Sequence, residues 1–207
     1  MIAIIDYDAG NLASVERAVR HLGRPCTVTR NLSAIANAER IIFPGVGAAG
    51  SAMASLRKYG LDQALFRAME EGKPILGICL GTQIVLSQSE ENRATCLGLV
   101  PGMVKAFPVT MRENGERLKV PQMGWNNIRI QKPHPVLSGV RPEHQFYFVH
   151  GYYPAPKTAE DIYAETGYGL TFASVIGRKN LVATQFHPEK SGKPGLRILD
   201  NFCGWKP

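Results

Sequence analysis

The sequence predicts an α/β fold: an open, mainly parallel twisted sheet flanked by helices and extended by antiparallel strands in the C-terminal half. Two observations lead to this. Up to about residue 80, short apolar runs alternate with stretches that carry apolar residues at helical spacing, the pattern of a parallel sheet covered by helices. Beyond about residue 97, short segments of β character follow one another between turns. Since no linker or repeat divides the 207 residues, we expect one domain spanning 1–207.

The N-terminal half predicts four strands. They lie at 2–5, 26–28, 40–43 and 74–79. A helix at 12–22 has Asn11 as its candidate N-cap and Gly23 as its end, and apolar residues between 53 and 69 indicate two more helices. Because sites in open parallel sheets gather at the carboxyl ends of the strands, the loops after these strands are expected to meet in one crevice.

The C-terminal half predicts shorter strands and one closing helix. The strands are expected at 97–107, 118–120, 126–130, 146–150, 170–176 and 181–186. Turns are expected at 113–115 and 132–135, and the helix at 196–202.

Composition bounds the possible partners. The formal net charge is +7, but the basic residues are scattered rather than arranged in a run with interleaved aromatics, so no nucleic-acid partner is expected. No apolar run reaches membrane-spanning length, and no leader segment opens the sequence, so no membrane partner is expected. The four cysteines lack CxxC spacing, so a reducing cytoplasm is expected and neither a metal nor a cofactor is predicted.

A strand ending on Cys79, between Gly77 and Gly81, marks the candidate site. Apolar residues return at helical spacing after it, so the cysteine is expected on a tight strand-to-helix turn where larger neighbours would clash. The first turn of a helix also favours the thiolate. From this stretch alone, a nucleophile and a small buried thiol that only packs are equally good interpretations.

His187 is the strongest of five candidate bases. It ends an apolar strand, and Glu189 follows two positions later, so an extended chain would let that carboxylate hold the second imidazole nitrogen. Cysteine, histidine and glutamate together have the logic of an acyl-transfer triad. Without the cysteine turn, a strand-end histidine beside a solvated glutamate would be the preferred interpretation. Solvated roles suffice for His21 and His134, His144 has no distinguishing feature, and His150 is either a core or a site-lining residue.

Three separated motifs resemble the triad-type (class I) glutamine amidotransferases. They are 77–83 (GICLGTQ), 44–47 (PGVG) and 185–191 (QFHPEKS), in the order the family has them. The stretches 6–12 (DYDAGNL), 121–126 (PQMGWN) and 146–153 (FYFVHGYY) are similar to the glutaminase subunits of imidazole glycerol phosphate synthases. The resemblance spans essentially the whole chain.

The resemblance implies hydrolysis of glutamine to glutamate through a cysteine thioester. The ammonia would pass to a (β/α)8-barrel synthase subunit that makes imidazole glycerol phosphate in histidine biosynthesis, in a heterodimer. By the matching motifs, the catalytic residues would be Cys79, His187 and Glu189. The oxyanion hole would involve Val46, Gly47 and Leu80; the residues holding glutamine would be Gln83, Gly151 and Tyr152; and those at or near the synthase interface would be Asn11, Trp125, Tyr147 and Lys190. The segment 44–47 is expected to be misaligned without the partner and to rearrange when the synthase carries its substrate.

Four positions depart from the family pattern. They are Asp8, Thr82, Gln122 and Gly151, where Gly, Met, His and a hydroxyl residue are usual. None is a triad member, so substrate contacts and docking are affected rather than the reaction. A related amidotransferase serving surface-sugar amination or an anthranilate or aminodeoxychorismate synthase is an alternative, as is a non-catalytic regulatory subunit on the same fold. A papain-like protease is disfavoured because no papain-type signature is present.

Overall fold

The computed structural model describes residues 1–113 and 115–207. Its six α-helices within that part are α1 Leu12–His21, α2 Leu32–Asn37, α3 Ala49–Tyr59, α4 Leu61–Glu70, α5 Leu80–Ile84 and α6 Gly192–Gly204. The strands are β1 Ile2–Ile5, β2 Cys26–Thr29, β3 Arg40–Gly45, β4 Ile75–Cys79, β5 Gln88–Ser89, β6 Ala94–Thr95, β7 Gly102–Ala106, β8 Arg112–Glu113, β9 Glu116–Arg117, β10 Gln122–Asn127, β11 Arg129–Ile130, β12 Gln145–His150, β13 Tyr152–Pro156, β14 Ile162–Gly167, β15 Thr171–Arg178 and β16 Leu181–Thr184. The turn predicted at 113–115 includes Asn114, which lies outside the described residues.

Among the described residues, eight strands form the main sheet in the order β11-β14-β15-β16-β4-β3-β1-β2. The pairs from β16 through β2 are parallel, and β15, β14 and β11 are added antiparallel. The predicted α/β class, with a mainly parallel sheet extended by antiparallel strands, is confirmed. Only some of the later strands extend this sheet, however: β13, β7, β5 and β6 form a second sheet, and β10 pairs with β12 in a ribbon.

The core lies on both faces of the main sheet. Along β1, Ala3 and Ile5 belong to one cluster of buried residues, whereas Ile2 and Ile4 belong to another. Because successive strand residues point to opposite faces, the two clusters occupy the two sides. Residues of α3 and α4 complete the first cluster, and residues of α1 and α6 complete the second. The central strands are therefore apolar throughout, as in a sheet covered by helices.

One predicted strand, at 118–120, is wrong, and the strand predicted at 97–107 is confirmed only for 102–106. Residues 118–120 have no strand pairing, and residues 97–101 precede β7 without joining it. Leu118 and Val120 pack against the core from an irregular segment, and Leu97 and Val100 are buried. Their apolar character comes from burial under the sheets and therefore gave a false strand signal.

No helix among the described residues combines the length and apolar character needed to cross a membrane.

Candidate active site

The carboxyl ends of three adjacent parallel strands carry the candidate residues. Cys79 ends β4 and lies opposite Gly45, the last residue of β3. On the other side of β4, Thr184 at the end of β16 lies opposite Ile78. The chain leaving β16 reaches His187 three residues later. Two segments that are distant in sequence are thereby brought to one edge of the sheet, as expected for a site in an open parallel sheet.

Cys79 occupies a strained turn, as the sequence predicted. Its φ of 53° and ψ of −107° lie outside the regions that most side chains adopt. A Cβ at Gly81 would lie 2.0 Å from the backbone oxygen of Phe43, and one at Gly77 would lie 2.8 Å from the Cβ of Ala183. Glycine is therefore required on both sides of the cysteine. The helix that follows, α5, has only five residues, so its dipole adds less to the stability of a thiolate than the sequence analysis assumed.

Glu189 holds the imidazole of His187. The Nδ1 atom of His187 lies 2.7 Å from Glu189 Oε1, and both side chains are essentially inaccessible to solvent. Pro188 to Lys190 form a 3-10 turn, so this contact is made by a tight turn and not by the extended chain that the sequence analysis assumed. Ser191 Oγ donates to the backbone oxygen of His187 at 2.6 Å and accepts from Tyr147 N at 3.0 Å. Glu189 thus holds the ring itself, and Ser191 holds the backbone that carries it.

The surroundings of His187 favour its charged form. Burial opposes the charge, but the side-chain and charge interactions with Cys79 and Glu189 outweigh burial and raise the pKa of His187 well above its ordinary value. Its Nε2 atom is buried and has no hydrogen-bond partner within the described residues. A buried ring nitrogen that faces a thiol and is otherwise unpaired is suited to carry a proton to and from a reacting group.

A cleft of about 430 Å³ opens above Cys79. Its walls include most of the residues that the resemblance implicated in catalysis and glutamine binding: Val46, Gly47, Cys79, Leu80, Gln83, Gly151 and Tyr152. Gly47 has a φ of 109°, and Val46 is 38% exposed.

The four residues assigned to the interface lie outside the cleft lining. Trp125 on β10 is 55% exposed, and its ring packs edge-on against Tyr147 at 6.0 Å between ring centroids. The Tyr147 ring is in turn 6.5 Å from that of His187. Lys190 is exposed. The Nδ2 atom of Asn11 donates to Glu189 Oε1 at 2.5 Å.

The model of the family "Glutamine amidotransferase class-I" matches residues 3–204, nearly the whole chain. The chain belongs to this family.

Curated relatives match this amidotransferase along almost its full length. A protein of Desulfovibrio desulfuricans named imidazole glycerol phosphate synthase subunit HisH is 52% identical, with 98% of this chain and 93% of the relative covered. Proteins of the same name from Syntrophotalea carbinolica and Methylococcus capsulatus are each 46% identical and cover 98% and 100% of this chain, with 98% and 97% of the relatives covered.

Solved structures share the fold of this amidotransferase at lower identity. A putative GMP synthase protein from Thermoplasma acidophilum aligns with a TM-score of 0.72 at 19% identity, over 98% of this chain and 92% of that one. A structure of PurLQS from Thermotoga maritima aligns with a TM-score of 0.75 at 14% identity, over 98% and 97% of the two chains. These likenesses concern the fold alone.

The structure adds three contacts that sequence reasoning missed. The side chain of Gln185 contacts Cys79. The sequence analysis gave Gln185 only as the first residue of the 185–191 motif and assigned it no role. Glu91 lines the cleft, and its Oε2 atom accepts from Ala49 N at the start of α3. Asn11 occupies the predicted N-cap position of α1, but its side chain makes no cap hydrogen bond and contacts Glu189 instead, so the predicted capping role is wrong.

Two histidines are packed among other side chains in ways that their local sequence did not predict. His134 packs edge-on against Tyr163 and Trp205, so its predicted solvated setting is wrong. His150 is 5% exposed and also lines the cleft, which unites the two roles considered for it. Burial lowers the pKa of His150 to about 4, so this imidazole stays neutral at pH 7.

Proposed function

We propose that residues 1–207 form a single glutamine amidotransferase domain that hydrolyses L-glutamine to L-glutamate and ammonia. The ammonia is delivered to a (β/α)8-barrel cyclase subunit, and the two subunits together make imidazole glycerol phosphate in histidine biosynthesis. One observation carries the proposal: Cys79 and the His187–Glu189 pair meet at adjacent strand ends beneath a cleft. The names of the curated relatives support the pathway.

In the first half of the reaction, the thiol proton of Cys79 moves to His187 Nε2. The thiolate attacks the side-chain carbonyl carbon of glutamine, and the carbonyl oxygen becomes an oxyanion. Backbone amides of Leu80 and of the Val46–Gly47 segment are the donors we assign to that charge; losing one such donor typically slows catalysis about 100- to 1000-fold. The intermediate collapses to a thioester as His187 gives its proton to the departing ammonia.

In the second half, a water molecule attacks the thioester. Neutral His187 takes a proton from the water, the C–S bond breaks, and the proton returns to the sulfur as glutamate leaves. Glu189 orients the ring through Nδ1 and stabilises the imidazolium that forms.

Charge in the cleft suits the amino-acid end of glutamine. Glu91 is the acidic residue of the lining, and we assign it the α-ammonium group. Gln83, Tyr152 and the backbone of Gly151 lie on the same walls and are assigned the remaining polar contacts. Gly151 contributes no hydroxyl, so the contact at this position is restricted to its backbone.

An exposed apolar surface beside the site is the proposed docking face for the barrel subunit. Met123 is 67% exposed and Trp125 is 55% exposed, both on the outward side of β10. Large exposed apolar side chains of this kind mark interaction surfaces. Tyr147 and Lys190 extend this face, and Asn11, through Glu189, links it to the catalytic histidine. Four buried, free cysteines are consistent with a reducing cytoplasm.

Labelling with diazo-oxo-norleucine, an electrophilic glutamine analogue, tests the reaction. Mass spectrometry of the treated full-length chain is expected to find the adduct on Cys79 alone, with labelling suppressed by excess glutamine. Cys79→Ala is expected to abolish labelling and glutamine-dependent synthesis, whereas the matched variant Cys203→Ala retains both. Labelling of Cys26, Cys96 or Cys203 in place of Cys79 would overturn the proposal.

Assembly with the barrel subunit tests the pathway. The reconstituted complex is expected to form imidazole glycerol phosphate from glutamine and the phosphoribulosyl substrate, and glutamine hydrolysis is expected to be faster in the complex than in the lone chain. Trp125→Ala is expected to weaken assembly by about 30-fold, the effect of losing a central aromatic anchor, whereas Leu32→Ala, an exposed apolar residue on α2, leaves it unchanged. Failure to bind the barrel while hydrolysing glutamine would point to one of the related amidotransferases.

A further inference from the structure

Gln185 is completely buried and its side chain reaches the sulfur of Cys79. The Nε2 atom of Gln185 lies 3.8 Å from Cys79 Sγ, within hydrogen-bond distance for sulfur. Its Oε1 atom accepts from Gln83 Nε2 at 3.1 Å. That same Nε2 atom of Gln83 also donates to the backbone oxygen of Tyr152 at 2.9 Å. A chain of hydrogen bonds therefore runs from a backbone carbonyl to the sulfur.

The backbone carbonyl of Tyr152 fixes the direction of this chain. A carbonyl only accepts, so Gln83 must turn its NH2 group toward Tyr152. The second hydrogen of that group then meets Gln185, which must present its oxygen to Gln83. The NH2 group of Gln185 is left facing Cys79. The oxygen and nitrogen atoms of the two glutamine amides are therefore assigned from their hydrogen-bond partners, because the shape of an amide group does not distinguish them.

Besides His187, which takes up the thiol proton, the described residues place one acceptor and one donor beside the sulfur. As a neutral thiol, Cys79 can donate to the backbone oxygen of Val149 at 3.9 Å. After the proton has moved to His187, that carbonyl faces a negative sulfur and opposes it, whereas the Gln185 NH2 group then supplies a hydrogen bond. Loss of this donor would shift the balance toward the thiol. The short α5 adds little in its place.

We propose that Gln185, held in orientation by Gln83, is a hydrogen-bond donor that stabilises the Cys79 thiolate. This rests on the proposed function, in which that thiolate is the nucleophile. It gives Gln83 a second use besides lining the cleft, because its NH2 hydrogens are both engaged below the substrate position and only its Oε1 atom remains for glutamine. The i, i+2, i+4 spacing of Gln185, His187 and Glu189 thus supplies a donor to the sulfur, a proton carrier and the group that orients that carrier.

Other titratable groups also face the sulfur or its cleft, and a pH profile must be interpreted with them present. They are His187 backed by Glu189, Tyr7 two residues beyond β1, and Glu91 and His150 in the cleft lining. Burial and the nearness of Cys79 raise the pKa of Tyr7, so it stays neutral throughout an assay at pH 5–9. Substitution of Gln185 leaves all of these groups in place.

The test is the pH dependence of iodoacetamide alkylation of Cys79 in the full-length chain, followed peptide by peptide with mass spectrometry. Gln185→Met removes the donor at similar volume. We expect the midpoint of the alkylation profile to move up by about one pH unit, the equivalent of one hydrogen bond to a charged group, so that the rate at pH values below the midpoint falls about tenfold. Gln83→Met is expected to give a smaller shift in the same direction, because Gln185 then loses only its orientation.

Two further variants separate this role from packing. Gln185→Glu preserves shape but replaces the donor by an ionisable acceptor, so it is expected to move the midpoint at least as far as Gln185→Met. Gln131→Met, an exposed substitution at the edge of the sheet, leaves the profile unchanged. Far-UV circular dichroism and urea midpoints verify folding; if Gln185→Met fails to fold, Gln185→Glu alone decides.

The outcomes distinguish the two proposals. A profile of Gln185→Met that superimposes on that of the unsubstituted chain, with Cys79 still labelled, overturns the role of Gln185 and leaves the glutaminase proposal intact. Absence of Cys79 labelling in the unsubstituted chain overturns the proposed function itself.

Discussion

Replacing Gly81 by alanine should break the turn that holds the candidate nucleophile. A Cβ at this position would lie 2.0 Å from the backbone oxygen of Phe43, where real Cβ contacts stay above 3.0 Å, so about 1 Å of movement must be absorbed. The obstacle is the backbone of β3, which is paired on both edges, and no side chain can rotate away. The first turn of α5 must therefore move off the sheet.

We expect Gly81→Ala to lower the free energy of unfolding by about 3 kcal/mol, the upper end of the usual overpacking cost. Gly204→Ala is the matched control, since Gly204 also lies in a helix and its added Cβ meets nothing within 4 Å. There the change should be neutral or stabilising by up to about 1 kcal/mol, because alanine is the better helix former.

Urea unfolding of the two variants measures this difference directly. The variants should differ by about 3–4 kcal/mol, and the rate of Cys79 labelling should fall in Gly81→Ala but not in Gly204→Ala. Equal stabilities within about 0.5 kcal/mol, the ordinary range for surface substitutions, together with an unchanged labelling rate, would refute the argument that close approach of β3 requires glycine here.

Three further predictions follow from buried polar groups. Glu189→Gln should lower the pKa of His187 and slow glutamine hydrolysis by at least about 100-fold. Glu165→Gln, which removes the carboxylate of a surface ion pair, should leave the hydrolysis rate unchanged. Equal hydrolysis rates in the two variants would contradict the role of the Glu189 carboxylate. The pKa of His150 is lowered to about 4, so the unfolded chain takes up a proton below pH 6.5 that the folded chain does not. Stability should therefore be lost as the pH falls from 6.5 to 5, by about 2 kcal/mol for this group, and His150→Asn should remove that share of the slope in urea titrations. Asn180→Ala should cost about 2–4 kcal/mol, measured by thermal or urea unfolding, since its Nδ2 atom donates to two backbone oxygens, those of Ala68 and Lys73.

Much of the fold and the centre of the site could be predicted from local sequence. The tight turn at Cys79 could be predicted because the cysteine lies between two glycines at the end of an apolar run. The steric clashes that require those glycines arise close to the turn itself. The alternation of strands and helices through residue 80 likewise depends on short-range periodicity. The pairing of strands in the second half does not, and this is why the separate four-stranded sheet and the irregular segment at 118–120 were missed.

Contacts across the sheet were beyond the reach of sequence reasoning. Asn11 precedes a helix and was predicted to be its N-cap. Its side chain instead donates a hydrogen bond to Glu189, 178 positions away in the sequence. Gln185 has no local feature that distinguishes it from any polar residue after a strand, and its contact with Cys79 depends on the parallel pairing of β16 with β4. The acid in the cleft, Glu91, is positioned by its bond to the start of α3.

The pairing of β16 with β4 also determines when, during synthesis and folding, His187 and Gln185 come together with Cys79. Cys79 and His187 are 108 positions apart (187 minus 79), so a ribosome exposes the sulfur long before the imidazole. Until the last strand docks, the chain carries a sulfur without its proton acceptor and without the Gln185 amide. Closing so long a loop is a late and slow folding event. Growing or half-folded chains therefore lack the arrangement of Cys79, Gln185 and His187 that the folded chain has.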